Sequence, residues 1–228
     1  MPRHENISMS VIRRLPRYYR FLHHLKEKGV TRISSTELSQ KLGLTASQIR
    51  QDLNCFGGFG QQGYGYIVSQ LCDEIGKIIG LSSGYKSILF GAGNLGRAIA
   101  NHMSFESEGF RLIGVFDCDP KKIGSEIGGL TVRNVSEVVD FCHRESPVMA
   151  VFCVPRSSAE HLSKTLYQLG IRNFWNFSHY DIALQYPDTV VENVHLNDNL
   201  MTLCYRISNP STKKPVVKDK EKLKGDTK

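Results

Sequence analysis

The chain has 228 residues, 40% of them hydrophobic, with a formal charge of +7; that length buries one substantial core and a second, smaller one. No apolar run approaches the roughly 20 residues needed to cross a bilayer, which excludes an integral membrane protein of the helical kind. The charge is uneven: residues 1–80 carry 11 Lys+Arg against 6 Asp+Glu, residues 81–210 carry 11 against 13, and residues 211–228 carry 7 against 3, the pattern of a polyanion-binding module joined to one with a different task.

Val11 to Lys28 places apolar residues at helical spacing (Ile12, Leu15, Tyr19, Leu22, Leu25) and stops at Gly29; Pro16 predicts either a kink or a helix starting there. Two capping boxes follow, Ser34-Ser35-Thr36-Glu37 and Thr45-Ala46-Ser47-Gln48, separated by the Gly43-Leu44 turn. Each hydroxyl can cap a backbone N–H while the Glu or Gln side chain reaches back. Two short capped helices across a glycine turn predict a helix-turn-helix whose second helix enters a major groove. Its outward face gathers Ser47, Arg50, Gln51 and Asn54, all able to hydrogen-bond base edges or phosphates, with Arg50 the strongest candidate. Gly57 to Tyr66 predicts a β-hairpin wing with Gln61-Gln62 at its tip. The simpler reading of these helices is a cover for a neighbouring domain, with Arg50 a solvated charge.

Ser87-Ile88-Leu89-Phe90 is an apolar strand, followed by Gly91-Ala92-Gly93-Asn94-Leu95-Gly96 and a helical segment from Arg97 to Met103. In this order Gly91 permits the tight turn, Gly93 lets the backbone approach a pyrophosphate, and Gly96 lets helix pack on strand. The phosphates would sit at a helix N-terminus. A second strand, Phe110 to Phe116, ends at Asp117, 21 residues beyond Gly96. A carboxylate there should accept adenosine ribose hydroxyls and repel a 2′-phosphate, so the ligand is expected to be NAD(H) and not NADP(H).

Asn134-Val135-Ser136-Glu137 predicts another helix start, Pro147 to Val154 a strand ending at Pro155, Ser157 a helix cap, Gly170 that helix's end, and Phe174 to Phe177 a further strand. Parallel strands bind ligands beyond their carboxyl ends, which places Cys153-Val154-Pro155 and Asn176-Phe177 near the nicotinamide half. Leu196, Leu200, Leu203 and Ile207 form one apolar seam on a helix that needs a partner, and exchange between two subunits would supply it. From Asn209 the chain turns Pro-, Lys- and Ser/Thr-rich, which predicts a disordered basic tail. Cys55, Cys72, Cys118, Cys142, Cys153 and Cys204 form no CxxC pair and follow no leader-like stretch. They are expected as reduced thiols of a cytoplasmic protein, without a metal site. His102, His143, His161, His179 and His195 lie in no catalytic pattern, and fewer than 60 residues follow Asn173, too few for a typical substrate domain.

The fold class expected is therefore α/β: a Rossmann doubly wound parallel sheet with an N-terminal winged helix-turn-helix domain and a C-terminal dimerisation helix. The divisions are residues 1–84 (DNA-binding), 85–195 (NAD(H)-binding), 196–210 (exchanged helix) and 211–228 (basic tail).

The order Arg14-Leu15-Pro16-Arg17-Tyr18-Tyr19-Arg20, Ser34 to Leu38, Gln48 to Leu53, Gly63-Tyr64-Gly65-Tyr66, Gly91 to Gly96 and Phe116 to Gly124 closely resembles the Rex family of redox-sensing transcriptional repressors, over roughly residues 10–207. The resemblance implies no catalysis, a homodimer with exchanged C-terminal helices, and release of operator DNA when NADH binds. On the matching motifs it extends the double-stranded DNA surface to Arg17, Tyr18, Arg20, Ser34, Ser35, Thr45, Gln48 and Tyr64, and the NAD(H) site to Lys122. A 100-fold preference between the two redox states corresponds to about 2.7 kcal/mol of coupling, enough to shift a balanced dimer. His102 stands where many members have a tyrosine near the nicotinamide, and His195 where they have an aspartate that meets an arginine, here Arg20. Gln51 and Gln61-Gln62 stand where the family usually has Lys or Arg, and Ser178-His179 where it has a small residue and proline. These departures imply a divergent member with altered discrimination between NADH and NAD⁺. An NAD-dependent oxidoreductase with an accessory domain, or a repressor with a vestigial nucleotide site, are the other readings.

Overall fold

Pro16 decides where the first long helix starts. In the computed structural model, which describes residues 7–61 and 64–209, a short helix α1 (Met9–Ile12) ends before α2 (Leu15–Glu27), and Pro16 occupies the second position of α2. Its missing N–H costs nothing there, because the first amides of a helix have no intrahelical partner. Gly29, at φ +71°, ends the segment. Helix α3 (Ser35–Leu42) starts with both halves of its capping box formed: Ser34 Oγ accepts from the Glu37 N–H (3.1 Å) and the Glu37 carboxylate accepts from the Ser34 N–H (2.8 Å). Helix α4 (Ala46–Asn54) starts with half of one. Thr45 Oγ1 accepts from the Gln48 N–H at 3.1 Å, but the Gln48 side chain runs forward to donate to Asp52 Oδ1 at 2.8 Å. In the predicted return bond the Gln48 amide oxygen would accept from the Thr45 N–H; instead its amide nitrogen donates to a buried carboxylate, a charge-assisted and stronger bond. Thr45→Ala removes the remaining cap and should cost about 1 kcal/mol, seen as a lower Tm of the N-terminal domain.

Strands β1 (Arg32–Ile33), β2 (Gly60–Gln61) and β3 (Gly65–Ile67) pair antiparallel in the order β1-β3-β2, forming the wing. Gln62, and the side chain of Gln61, lie outside the described residues. Helix α5 (Val68–Ile78) was not predicted, although Val68, Leu71, Cys72 and Ile75 follow helical spacing and are buried. It begins directly from β3 with no side-chain cap, so the usual start signal is missing. With α2, α3 and α4 it closes one core around Leu15, Tyr18, Leu22, Leu38, Ile49 and Leu53.

The second domain runs β4 (Tyr85–Phe90), α6 (Asn94–His102), β5 (Phe110–Asp117), β6 (Glu126–Ile127), β7 (Leu130–Asn134), α7 (Val138–Glu145), β8 (Met149–Phe152), α8 (Arg156–Gln168), β9 (Asn173–Asn176), α9 (Ile182–Gln185), β10 (Val190–Asn193) and α10 (Leu196–Ser208). The sheet order is β10-β9-β8-β4-β5-β7-β6, parallel except for the β6–β7 pair. The chain winds outward in both directions from β4 and β8, which creates the crevice where such sheets hold ligands. The Asn134–Glu137 box is formed, closing a single 3₁₀ turn ahead of α7. Ser157 does not cap α8. The extended Pro155 (φ −59°, ψ 156°) flanks it, so the helix begins at Arg156 and carries no side-chain cap. The edge strands β6 and β10, their neighbour β7 and the short α9 are not legible in the sequence, since their alternation is mixed with exposed polar residues.

The two faces of the sheet are covered unequally. One buries Phe90, Phe116, Phe141, Phe152 and Leu166 in a core reached by α7, α8 and α9. On the other, the core around Leu89, Ile99, Val115 and Val151 leaves Trp175 and Phe177 only partly covered. Helix α10 has no buried residue, and Leu196, Leu200, Leu203 and Ile207 are 51–71% exposed. The basic tail lies outside the described residues. No described helix is long and apolar enough to cross a membrane.

Candidate dinucleotide cleft and nucleic-acid interface

The three glycines of the loop after β4 do three different things. Gly91 has φ +98°, and a Cβ there would stand 2.4 Å from the Cys153 carbonyl oxygen. A Cβ on Gly96 would stand 1.8 Å from the Gly91 carbonyl oxygen and 3.1 Å from Leu89 Cδ2, so α6 lies against the loop and strand. Gly93, by contrast, would meet nothing within 4 Å; it flanks the first turn of α6, which has no side-chain cap. The backbone is open at the one glycine where the sequence leads one to expect a pyrophosphate, above amides without intrahelical partners.

A cleft of about 740 Å³ opens beside it, bounded by Gly91, Gly93, Asp117, Lys122, Cys153, Val154 and Pro155, all sequence candidates, and by Val135, Ser157, Ser158, His161 and Leu162, which are not. The latter come from the β7–α7 junction and from α8, whose place in the crevice depends on strand order and left no local motif. Ala92, Asn94, Leu95 and Gly96 belong to the loop and the first turn of α6.

Asp117 is 8% exposed and already engaged. Its Oδ2 accepts from the Ala92 N–H (2.7 Å) and from Lys122 Nζ (3.2 Å), and its Oδ1 accepts from the Asp119 N–H (2.9 Å). Burial pushes its pKa up, but these donors outweigh it and hold the carboxyl below its ordinary value. The carboxylate therefore clamps the glycine loop to the end of β5, with capacity left on Oδ1 for a further donor. Lys122 offsets part of the negative charge on which exclusion of a 2′-phosphate was expected to rest.

The nicotinamide-side candidates divide. Cys153 borders the cleft, but burial pushes its thiol up to about 12, which removes it as a nucleophile. Asn176 is fully buried and committed: its Nδ2 donates to the Tyr180 carbonyl and to Asn193 Oδ1 (both 2.8 Å), and its Oδ1 accepts from the Ser178 N–H and hydroxyl (3.1 and 2.6 Å). It ties β9 to the turn after it and offers nothing to a ligand, which corrects its place among the binding residues. Phe177 packs edge-on against Trp175, with ring centroids 4.9 Å apart, away from the cleft lining. His102 is exposed at the end of α6. His195 does not meet Arg20 within the chain. Its Nδ1 lies 3.0 Å from His179 Nδ1 with the rings stacked, and Arg20 makes no hydrogen bond or ion pair among the described residues.

On the N-terminal domain Ser47, Arg50, Gln51 and Asn54 are exposed on α4, opposite buried Ile49 and Leu53. Arg50 Nη1 donates to Ser35 Oγ at 3.0 Å, linking the two helices of the motif. Arg17 and Arg20 are exposed on α2, and Tyr64 is 69% exposed beside the Arg32 guanidinium, a neighbouring cation the sequence reading passed over. Tyr18 is not available to DNA. It is fully buried, and its hydroxyl donates to Asp52 Oδ2 at 2.5 Å. Ser34, Thr45 and Gln48 are occupied first as helix-start and network residues.

Tyr18 belongs to a network the sequence did not disclose. Asp52, 1% exposed, receives Arg14 through Nε (2.6 Å) and Nη2 (2.7 Å) besides Tyr18 and Gln48. Burial would raise its pKa, yet these donors keep it below the ordinary carboxylate range; the Asp52 contact raises that of Arg14, and burial first, then the Asp52 contact, raises that of Tyr18. The network fixes α4 to α2, and so sets where the exposed face of α4 points.

Comparison with known proteins gives the same two parts. Residues 6–54 match the family described as putative DNA-binding protein N-terminus, and residues 82–180 the family described as CoA binding domain. The chain is 49% identical over 227 residues to the redox-sensing transcriptional repressor Rex of Thermoanaerobacter pseudethanolicus, covering 100% of this chain and 98% of that one. It is 47% identical over 213 residues to the Rex of Clostridium perfringens, covering 93% and 100%. Among solved structures it is similar to RSP, a Rex-family repressor, in complex with β-NAD⁺ and operator DNA (49% identity, 90% of this chain and 94% of that one, TM-score 0.84). It is also similar to RSP in complex with β-NADH (46% identity, 90% and 96%, TM-score 0.81).

Proposed function

Because the chain belongs to the Rex family of redox-sensing transcriptional repressors, we propose that it acts as one: a homodimer on operator DNA that lets go when NADH fills the cleft beside Gly93. It is not an enzyme, and NAD⁺ and NADH are its regulatory ligands. The carrying observation is the glycine loop, sterically closed at Gly91 and Gly96 and open at Gly93, in a chain that matches Rex from end to end. A regulator of chromosomal operators works in the cytoplasm.

In this reading the pyrophosphate lies on the first amides of α6, and Asp117 with Lys122 meets the adenosine ribose. The two redox states differ by one charge and by ring planarity, so only contacts to the nicotinamide discriminate them. A ligand shifts an equilibrium only by its differential affinity for the two states. Operator contact falls to Arg50, Ser47, Gln51 and Asn54 in the major groove, with Arg17, Arg20 and the wing on phosphates.

The dimer rests on α10. Its exposed seam and the partly covered sheet face around Trp175 and Phe177 are complementary in chemistry, and exchange of the helix between two copies buries both. Removing residues 196–228 should give a monomer by light scattering and lower operator affinity by at least 100-fold, since two linked half-site contacts become one.

His195 and His102 stand on the sensing apparatus, and an imidazole cannot replace a carboxylate facing arginine. We assign this chain a narrower difference between NADH and NAD⁺ than ordinary members show. Anisotropy of labelled operator, titrated with each nucleotide at fixed salt, tests both statements. NADH should release the operator, and His195→Asp should widen the ratio of the two midpoints. A response to neither nucleotide would overturn the function; a wild-type ratio of 100 or more would overturn the altered sensing.

A further inference from the structure

The cleft wall facing the glycine loop carries a histidine with no part in redox sensing. His161 lies in the second turn of α8 and borders the cleft beside Val135 and Leu162. Its Nδ1 stands 2.9 Å from the Ser157 carbonyl oxygen. A carbonyl oxygen only accepts, so Nδ1 carries the proton of this contact, and in the neutral ring Nε2 is then an acceptor. The order of groups along the cleft fixes what meets it. With phosphates at Gly93 and the ribose at Asp117, the base extends past Asp117 between Val135 and α8. Apolar Val135, Pro155 and Leu162 suit the faces of a flat ring. Of the polar groups on the α8 wall, the Ser157 and Ser158 hydroxyls can donate or accept, so they cannot tell one ring edge from another. His161, with Nδ1 committed, can only accept.

We propose that His161 reads the base edge of the dinucleotide: Nε2 accepts from an exocyclic amino group and makes the cleft selective for a 6-aminopurine. This rests on the cleft being the NAD(H) site. A 6-oxopurine would set a carbonyl against Nε2. The N1–H that a 6-oxopurine carries lies one ring atom away, so Nε2 regains a donor only if the base shifts within the cleft.

The test compares the affinity of the full-length protein for NADH and for its hypoxanthine analogue, in which oxygen replaces the amino group. The wild type should prefer NADH by about tenfold, the scale of one hydrogen bond lost and one acceptor left unpaired. His161→Phe keeps the flat ring without nitrogen, and should weaken NADH to the level of the analogue. His161→Gln can present either end of its amide, and should hold NADH near the wild-type value while tightening the analogue, so it decides the matter if the Phe variant melts early. Equal wild-type affinities, or a preference that survives in the variants, would overturn the role of His161. Failure of both dinucleotides to bind would instead overturn the reading of the cleft.

Discussion

Asp52→Ala is expected to unfold the N-terminal domain near physiological temperature while leaving the second domain able to bind NADH. The substitution removes the common acceptor of four hydrogen bonds and leaves the Arg14 guanidinium and the Tyr18 hydroxyl facing each other without a partner. Arg14 keeps a quarter of its side chain exposed and can turn to water, whereas the Tyr18 hydroxyl stays buried without a partner, so the cost is about 3 kcal/mol, below that of a fully buried pair broken from one side. A domain with a single core of this size has little more than that in reserve. The separate cores of the two domains predict two transitions in a thermal scan, only the lower of which moves. Asp52→Asn keeps the shape but turns one acceptor into a donor, and should lose less. The sign of the pH effect follows from the depressed pKa of Asp52. Its contribution is full above the unfolded carboxylate value of about 3.9 and is lost as pH falls through the lower folded value. A single, unshifted transition in Asp52→Ala would show that the network carries little of the domain's stability.

Two alanine substitutions three residues apart should fail in opposite ways. At Gly96 a methyl would overlap the Gly91 carbonyl oxygen, at 1.8 Å, and the backbone must shift to admit it. Overpacking of this kind costs about 1–3 kcal/mol or more, and the displaced loop should weaken NADH binding by at least 100-fold. At Gly93 the methyl meets no protein atom and φ is −77°, so stability should stay within about 0.5 kcal/mol of wild type. The same methyl stands where the pyrophosphate must touch the backbone, and NADH affinity should fall at least tenfold. Gly93→Ala is thus the variant that severs the ligand from the switch without disturbing the fold: its operator binding should persist and ignore NADH. Wild-type NADH affinity in Gly93→Ala would place the phosphates elsewhere.

What could be read from the residues were the features set by helix capping, glycine conformation or one supersecondary unit. The Ser34–Glu37 and Asn134–Glu137 boxes, the turns at Gly29, Gly43 and Gly91, and the strand–loop–helix order around Gly91 to Gly96 are of this kind. Binary patterning of α4 likewise sets Arg50 and Asn54 opposite the apolar Ile49 and Leu53. Gln48 and Tyr18 were misread because each is drawn to Asp52, 4 and 34 positions away, and no local rule anticipates a buried carboxylate. Asn176 looked available for the same reason, since its four bonds go to the next turn and to β10.

The amino-acid order by itself determined the two domains, the reading helix and the phosphate loop, because propensity, capping and glycine conformation act over short stretches of chain. Only the folded structure decided which side chains are consumed in holding those parts together and which face a ligand. Strand order brings Val135 and His161 to the wall opposite Gly93, and one buried carboxylate sets the angle of the reading helix. Contacts between residues far apart in the chain depend on topology and burial, which no local pattern encodes.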